Sequence, residues 1–437
     1  MEIEQHFKTK KQFTSMRNYI LIPLIILITH FKGEAQEKLT LEDCYQLSRS
    51  NYPAVQKLDL ISKSAQFTLE NANKRYLPQV SFSGQASYQS QTISFPQALS
   101  ANPSSTFPTI SKDQYKIQGD INQTIFDGGT IHYEKEVTKA NAELQKQNVE
   151  ISLYALKDRI NSIFFSILLI DAQLKQNELS RANLRTQAQK TQASYNNGVA
   201  FKSNVDELNA EVSSSDMSSI EFAANRTAYL KMLSLLIGKE ITSSQQLVMP
   251  TSVMTPGEIN RPELKAYELQ KSVYDAQEKQ LRSSYLPQFS AFFQGAYGRP
   301  TLNIIENQFG SWYVTGLRMS WSLGSLYTLG NQKKVLGLNR RSVEADQQTF
   351  LLNTKLDITQ QDEQVNKYTE LIREDEKAVA LRESVTRSAQ AQLANGVITT
   401  HEYIQQVNAE NAAKENLLMH RIQLLQAQYT RKTKSGN

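Results

Sequence analysis

The side chains of this chain that could hold a metal or act in catalysis are its histidines and its single cysteine. Two of the five histidines lie near the N-terminus, and the other three are His132, His401 and His420. They are far apart and show none of the spacings that metal ligands have. Cys44 alone cannot form an intramolecular disulfide and is typical of a small apolar position on a helix. These residues predict a protein that is not an enzyme and needs no cofactor or metal.

A glycine-rich motif at residues 126–129, Phe-Asp-Gly-Gly, is the other place where ligand chemistry could occur. It lacks the glycine spacing and the lysine of a phosphate-binding loop. Because it follows a segment with strand periodicity and precedes a long helical segment, we interpret it as a strand-to-helix turn.

Residues 1–36 have the layout of a secretory signal peptide. Basic residues precede an apolar run over 19–31, and Gly33-Glu34-Ala35 follows as a small-x-small cleavage site. The run is shorter than the roughly 20 residues that span a bilayer, so an inner-membrane anchor is the less favoured alternative. Met16 is an alternative start. Removal of residues 1–36 would lower the net charge from +5 to about +3, too little to indicate a nucleic-acid partner.

Two motifs recur in the same order along the chain. Tyr76-Leu77-Pro78-Gln79 is repeated at residues 285–288, and Asn197-Gly198-Val199 is repeated as Asn395-Gly396-Val397. Repeats this far apart indicate duplication of a whole structural unit, because solenoid repeats have periods of about 20–50 residues. The duplication predicts a first unit over 37–238, an irregular linker over 239–261 with room for a short helix, and a second unit over 262–437.

Each unit is predicted to contain a helix, two strands and two long helices. Strands are expected where the pattern has a period of two, and helices where Pro and Gly are absent and apolar residues recur at three- and four-residue steps. The first helix is predicted to begin after the N-cap Thr40 and to run without a break to about Arg75. The strands are predicted over 79–92, 115–125, 289–297 and 312–322, and the long helices over 130–195, 203–237, 331–394 and 400–430.

The strands indicate a membrane barrel. Each is about 10–14 residues long, enough for a tilted crossing of a bilayer, and each has one apolar and one polar face. Four strands are too few to close a barrel, and an open edge in lipid would leave backbone groups unpaired. A barrel built from these strands must therefore be shared between protomers. The long helices would form rods of about 100 Å.

In their order and duplication, these motifs resemble the TolC-type outer-membrane efflux channel family. The resemblance rests on residues 39–56 and 261–290, on the Phe-Asp-Gly-Gly motif and on the two Asn-Gly-Val turns, and it extends over the chain beyond residue 36. It implies an α+β membrane protein with an internal two-fold repeat. Long antiparallel helical hairpins would form a periplasmic α-barrel, and four strands per protomer would belong to a shared twelve-stranded transmembrane β-barrel.

The same resemblance implies partners and a location. The chain is expected to form a homotrimer in outer-membrane lipid of a Gram-negative bacterium and to extend into the periplasm. It would be the exit duct of a tripartite efflux or type I secretion system, working with a periplasmic adaptor (membrane fusion protein) and an inner-membrane RND or ABC pump. No nucleic-acid partner is expected. The alternative is a periplasmic coiled-coil scaffold without a pore, which would use its strands only for protein contacts.

The resemblance also assigns candidate sites. By their residue types, the turns Asn197-Gly198-Val199 and Asn395-Gly396-Val397 are helix C-caps, and the family implies that they also contact the adaptor. Family members carry acidic residues just beyond these turns, where they form a periplasmic gate. The gate candidates at those positions are Asn204, with Asp206 as the alternative in a shifted register, and Glu402 and Gln405. The other interpretation of all four is a solvated position on a helix face.

Overall fold

The computed structural model describes residues 38–93, 110–242, 246–253, 257–304 and 306–437, which belong to one compact unit that spans Lys38–Asn437. The predicted signal peptide and most of the loop between the first two strands lie outside the described residues. The elements are α1 (Leu41–Asn51), α2 (Gln56–Lys74), β1 (Gln79–Tyr88), β2 (Asp113–Phe126), α3 (Thr130–Asn196), α4 (Lys202–Ile237), α5 (Pro262–Ser283), β3 (Gln288–Arg299), β4 (Gly310–Ser320), α6 (Leu326–Ala394) and α7 (Thr400–Ser435). Among these residues, no helix combines the length and the apolar character that a bilayer crossing requires.

The chain enters α1 through a capping box. The Thr40 hydroxyl accepts a hydrogen bond from the backbone N–H of Asp43 at 3.1 Å, and the Asp43 carboxylate accepts one from the backbone N–H of Thr40 at 3.0 Å. The prediction of one unbroken helix after this cap was wrong. Pro53 lacks a backbone N–H and disfavours helical geometry at Tyr52, whose ψ is 130°. A 3-10 turn over Pro53–Val55 then leads into α2.

The four strands form one antiparallel sheet in the order β1-β2-β3-β4. β1 pairs with β2 in the register Val80 to Ile121, β2 with β3 in the register Ile121 to Phe293, and β3 with β4 in the register Phe293 to Thr315. β1 ends at residue 88 rather than 92, and β4 covers 310–320 rather than 312–322. Within the described part of the chain, β1 and β4 each leave one edge without a strand partner.

These registers divide the sheet into an apolar and a polar face, because directly paired residues point to the same side. On the apolar face, Phe82 is 82% exposed and Leu317 is 78% exposed. The rest of that face includes Val80, Ile117, Ile121, Phe293 and Met319. The polar face includes Ser83, Gln118, Asp120, Gln294 and Arg318. The predicted alternation along the strands is confirmed, and it produces an exposed apolar surface on one side only.

Two long antiparallel hairpins, α3 with α4 and α6 with α7, extend from the sheet. α3 has 67 residues and α6 has 69, so each is about 100 Å long. α3 contacts α2 and α5, and α5 contacts α6. The helices therefore lie side by side in the order α2-α3-α5-α6, the same order as the strands β1-β2-β3-β4 that they adjoin. Farther along, α4 packs on α3, and α7 contacts both α3 and α6. α6 begins at Leu326, earlier than the predicted 331, and α7 continues to Ser435.

Apolar clusters join the hairpins at two levels. The larger cluster lies where α1, α3, α4 and α7 meet, and Ile160, Phe164 and Leu233 are fully buried in it. A parallel bridge between Leu39 and Leu247 places the linker against this cluster, and the described residues of the linker contain no helix. The smaller cluster, near the end of the hairpins that is farthest from the sheet, consists of Leu184, Ala188, Leu208, Ala389, Tyr403, Ile404 and Val407.

Candidate functional site

Each hairpin ends in a glycine turn far from the sheet, and we call residues 197–199 and 395–397 the distal turns. Gly198 has a φ of 73°, and its N–H donates to the carbonyl of Tyr195 at 2.9 Å. The N–H of Val199 donates to the carbonyl of Ser194 at 2.8 Å. This is the Schellman motif, in which a left-handed glycine ends a helix. The second distal turn has the same geometry, with a φ of 70° at Gly396 and equivalent bonds of 3.1 and 2.9 Å.

The two asparagines of the distal turns are the C-cap residues of α3 and α6. The backbone N–H of Asn197 donates to the carbonyl of Ala193 at 3.1 Å. Asn395 makes the equivalent backbone bond to Ala391 at 3.2 Å, and its side-chain amide donates to the same carbonyl at 2.8 Å. These bonds satisfy carbonyl groups that a helix end would otherwise leave unpaired. The interpretation of both turns as helix C-caps is confirmed.

Apolar side chains are exposed beside these caps. In a Schellman motif the residue after the glycine often packs on its own helix, but Val199 is 81% exposed and Val397 is 70% exposed. Phe201, which precedes α4, is 79% exposed. Apolar groups that cluster in solvent are typical of a surface that contacts another protein.

Asn204 joins the two hairpins. Its side-chain amide donates a hydrogen bond to the hydroxyl of Thr400 at 2.9 Å, and Thr400 itself is buried. The contact therefore links the first turn of α4 to the first turn of α7. Asp206, the candidate in the shifted register, is exposed on α4.

Glu402 caps its own helix. Its carboxylate accepts hydrogen bonds from the backbone N–H of Thr399 at 2.7 Å and from the Thr399 hydroxyl at 3.0 Å, and that hydroxyl accepts from the backbone N–H of Glu402 at 3.2 Å. The bond from the backbone N–H of Thr399, followed by the bond from its hydroxyl, lowers the pKa of Glu402 below its ordinary value. The carboxylate is thus directed towards the start of α7.

Gln405 belongs to a short chain of polar contacts between the hairpins. Its amide nitrogen lies 2.9 Å from Nε2 of His401, and Nδ1 of His401 lies 2.7 Å from Oε1 of Glu207 on α4. We call the pairs Asn204–Thr400 and Glu207–His401 together the distal contact.

A cleft of about 930 Å³ separates the ends of the two hairpins beside the distal contact. Lys190 and Arg387 bring cationic groups to it from α3 and α6. Val199 and Phe201 line it from the first hairpin, and Ile398 lines it from the second. The cleft therefore combines apolar and cationic surface at the point where both hairpins are exposed.

Sequence reasoning missed Thr400, Glu207 and His401 as partners at this site. The distal contact joins residues almost 200 positions apart, and nothing in the local pattern of either segment indicates the other. Thr399 and Glu402 do carry a readable signal, because Thr-x-x-Glu before a helix is a capping box. That pattern would have assigned Glu402 a capping role from the sequence.

The polar face of the sheet carries a second group of functional side chains. Oδ1 of Asp120 accepts hydrogen bonds from the side-chain amides of Gln118 and Gln294, both at 2.7 Å. The guanidinium of Arg318 lies 4.7 Å from the centre of the Phe292 ring. Charged and amide groups on one face of a membrane sheet are typical of the water-filled side of a barrel.

Four antiparallel strands joined to two long helical hairpins are the fold seen in solved outer-membrane channels. Residues 44–239 match the outer membrane efflux protein family. The second half of the chain repeats the elements of the matched half. The chain is therefore similar to the outer membrane efflux protein family over the first of its two repeats.

Several solved structures of channels and outer-membrane proteins resemble this chain. The channel CusC superposes with a TM-score of 0.68 at 13% identity over 91% of this chain and 92% of its own. VceC of Vibrio cholerae has a TM-score of 0.65 at 12% identity, over 91% and 96%. The open state of MtrE of Neisseria gonorrhoeae has a TM-score of 0.63 at 11% identity, over 91% and 89%. At these identities the likeness concerns the fold. A search of curated protein sequences found no match.

The family match confirms several predictions. The protein is an outer-membrane efflux duct that extends into the periplasm, and it is neither an enzyme nor a scaffold without a pore. Members of the family are trimeric and work with an adaptor and an inner-membrane pump. No group of three or more His, Cys, Asp or Glu side chains that could hold a metal occurs in the described residues.

Proposed function

We propose that three copies of this chain form one continuous duct, a twelve-stranded barrel in the outer membrane that opens into a tunnel of long helices. The observation that carries this proposal is the four-stranded sheet, which among the described residues has two unpaired edges and one exposed apolar face. In lipid, each unpaired backbone group would cost several kcal/mol. Pairing β4 of one copy with β1 of the next removes both edges, and three copies close the ring.

The helices support the same closure. α2 leads into β1 and α6 follows β4, so the free edges of the sheet continue into these two helices. Both expose apolar side chains: Leu60 and Phe67 on α2, and Val335, Leu338 and Leu352 on α6. Exposed apolar rows on the two outermost helices are complementary to each other in a closed ring. We therefore place α6 of one copy against α2 of the next.

The distal turns are the proposed contact with the periplasmic adaptor. Val199, Phe201 and Val397 offer apolar groups to a partner, and the adjoining cleft offers the cationic groups of Lys190 and Arg387. A helical hairpin whose end carries apolar and acidic residues has the shape and chemistry to fill this cleft. Through such an adaptor the duct would serve an inner-membrane pump of the RND or ABC type, which supplies the energy that a passive duct lacks.

A pair of lysine substitutions on β4 tests the membrane barrel. Leu317 lies on the apolar face and Val314 on the polar face of the same strand. A lysine that faces lipid near the midplane costs about 2–4 kcal/mol, whereas a lysine in a water-filled lumen is tolerated. We expect Leu317→Lys to lose detergent-extractable trimers from the outer membrane and Val314→Lys to keep them. Equal behaviour of the two variants would contradict the assignment of the faces.

Purified trimers test the duct itself. Reconstituted into planar bilayers, they should give discrete conductance steps, and Val314→Lys should change the ion selectivity of those steps because it adds charge to the lumen. Trimers that insert but never conduct, even after the distal contact is removed by Asn204→Ala with His401→Ala, would contradict the proposal.

A further inference from the structure

The distal contact contains a titratable group at the free ends of the hairpins. His401 bonds to Glu207 on α4 through Nδ1 and to Gln405 through Nε2. Histidine is the side chain whose ordinary ionisation falls between pH 5 and 8. We propose that protonation of His401 strengthens the distal contact, so that the hairpins separate less readily at acidic than at neutral pH. This inference rests on the proposed function, since separation of the hairpins matters where it opens a duct.

Both charge states of the imidazole can be hydrogen-bonded here. In the neutral state, Nδ1–H donates to the Glu207 carboxylate and Nε2 accepts from the amide N–H of Gln405. In the charged state, Nε2 also carries a proton, and a half-turn of the Gln405 amide presents its oxygen as the acceptor. The charged state adds a full positive charge 2.7 Å from a carboxylate oxygen, and this attraction is absent from the neutral state.

The charges around His401 come from all four long helices. Glu207 faces it from α4, Glu402 lies near it on α7, and Lys190 and Arg387 line the adjoining cleft from α3 and α6. Because these two acidic and two basic side chains have opposite charges, neither sign dominates the electrostatic potential at His401. The pair Glu207–His401 itself is therefore the element whose strength changes with pH.

Because the Glu207–His401 pair lies at the free ends of the hairpins, a small change in its strength affects how readily the hairpins separate. The pair lies beside the smaller apolar cluster, which includes Leu208, Tyr403 and Ile404, and beside the Asn204–Thr400 hydrogen bond. His401 and Glu207 are partly exposed, at 65% and 36% of their side chains, and an exposed pair contributes little. Three such pairs act together in a trimer, so their effects on a concerted opening multiply.

Conductance as a function of pH tests the proposal. We expect the open probability of reconstituted wild-type trimers to be at least about threefold lower at pH 5.5 than at pH 8, which is within the range of an exposed ion pair. His401→Gln keeps a hydrogen-bonding group but cannot titrate, and its pH profile should be flat. The matched control is His420→Gln, because His420 pairs with Asp375 at 2.6 Å inside the second hairpin. It should keep the wild-type profile.

A distance measurement separates this inference from the proposed function. Spin labels are attached at Val199→Cys and Val397→Cys at pH 7, and the native Cys44 is fully buried and will not compete. The distance between the distal turns should shorten at pH 5.5 in the wild-type background and stay constant with His401→Gln. Constant distances in both backgrounds, or a His401→Gln pH profile like that of wild type, would overturn the inference. Loss of all conductance with a pH-dependent distance would support the contact and contradict the duct.

Discussion

At the scale of single residues, the distal turns depend on two glycines in the left-handed region, where most L side chains are strained. Gly198 and Gly396 both have φ near +70°, where a Cβ costs roughly 1–2 kcal/mol. A Cβ at either position would meet no neighbouring atom. The cost of a substitution here is therefore conformational and not steric.

Gly198→Ala is expected to destabilise the first distal turn by about 1 kcal/mol, because alanine is strained in the left-handed region. Hydrogen–deuterium exchange over residues 190–205 should then be about fivefold faster. Gly198→Asn is the control, since asparagine tolerates this region, and it should show a smaller increase. Equal exchange in the two variants would mean that the turn does not depend on the left-handed conformation.

Two acidic groups, the Cys44 thiol in the larger apolar cluster and the Tyr154 phenol on α3, predict a loss of stability in alkali. Burial raises the pKa of the Cys44 thiol from 9.0 to about 12 and that of the Tyr154 phenol from 10.0 to about 12. The unfolded chain releases these protons at lower pH than the folded chain does. Stability should therefore be constant below about pH 9 and fall from there towards pH 12.

Thermal unfolding of the detergent-solubilised protein between pH 8 and 11 measures this effect. Cys44→Ala removes one of the titrating groups, so the melting temperature should fall less steeply with pH than in the wild type. Tyr195→Phe is the control, because Tyr195 is exposed near a distal turn. A Cys44→Ala slope equal to that of wild type would contradict the contribution of the buried thiol.

At the scale of elements, the sequence predicts what depends on local chemistry. The ends of α3 and α6 follow from Asn-Gly, and the turn from β2 to α3 follows from Phe-Asp-Gly-Gly. In that turn the Asp127 carboxylate accepts hydrogen bonds from the N–H groups of Gly129 at 2.9 Å and of Ile131 at 2.7 Å. The early start of α6 at Leu326 was not predicted. Gly330 lies within the first turns of this helix, and glycine is typical of turns and loops.

Contacts between elements explain the rest of what sequence could not predict. The break at Pro53 is the exception, because a proline that disfavours helical geometry at the preceding residue is visible in the sequence. Asn204 and Gln405 were selected by their distance from a turn, and only the packing of α4 against α7 shows that both belong to one inter-hairpin contact. Their role in a gate stays a prediction.

Glu402 offers a test of capping against gating. Glu402→Gln keeps a carbonyl oxygen that can accept from the Thr399 backbone, whereas Glu402→Ala removes the cap. If capping is its main role, Glu402→Gln should keep the ion selectivity of the wild-type duct. Glu402→Ala should then speed hydrogen exchange in the first turn of α7. A clear loss of cation preference in Glu402→Gln, measured from reversal potentials at low salt, would instead assign the carboxylate to the gate.

At the scale of the whole molecule, both the sheet and the helical part of one protomer leave surfaces uncovered at their outer edges. The sheet has two free edges, and the outermost helices α2 and α6 expose apolar rows. Each repeat supplies two strands and one helical hairpin. The proposed trimer would therefore contain six similar units arranged around one axis. The apolar face of the sheet can face lipid only if the polar face, with Asp120 and Arg318, encloses water.

Closure of the ring predicts which side chains meet between protomers. On the apolar face, β4 carries odd-numbered residues such as Leu317, and β1 carries even-numbered residues such as Phe82. Paired strands place residues of the same face side by side. With Leu317→Cys on one edge, cysteines at Val80, Phe82 or Gly84 should include a partner that forms disulfides between protomers upon oxidation.

Cysteines at Ser81 and Ser83 are the matched controls, because they lie on the opposite face of the same strand and a disulfide requires Cβ atoms within about 4.5 Å. We expect covalent dimers and trimers on denaturing gels for at least one even-numbered position and for neither serine position. The position that reacts fastest fixes the register of β4 against β1, and hence the stagger of the barrel. Cross-links at a serine position would place the polar face towards lipid, which the charges of Lys116, Asp120 and Arg318 on that face oppose.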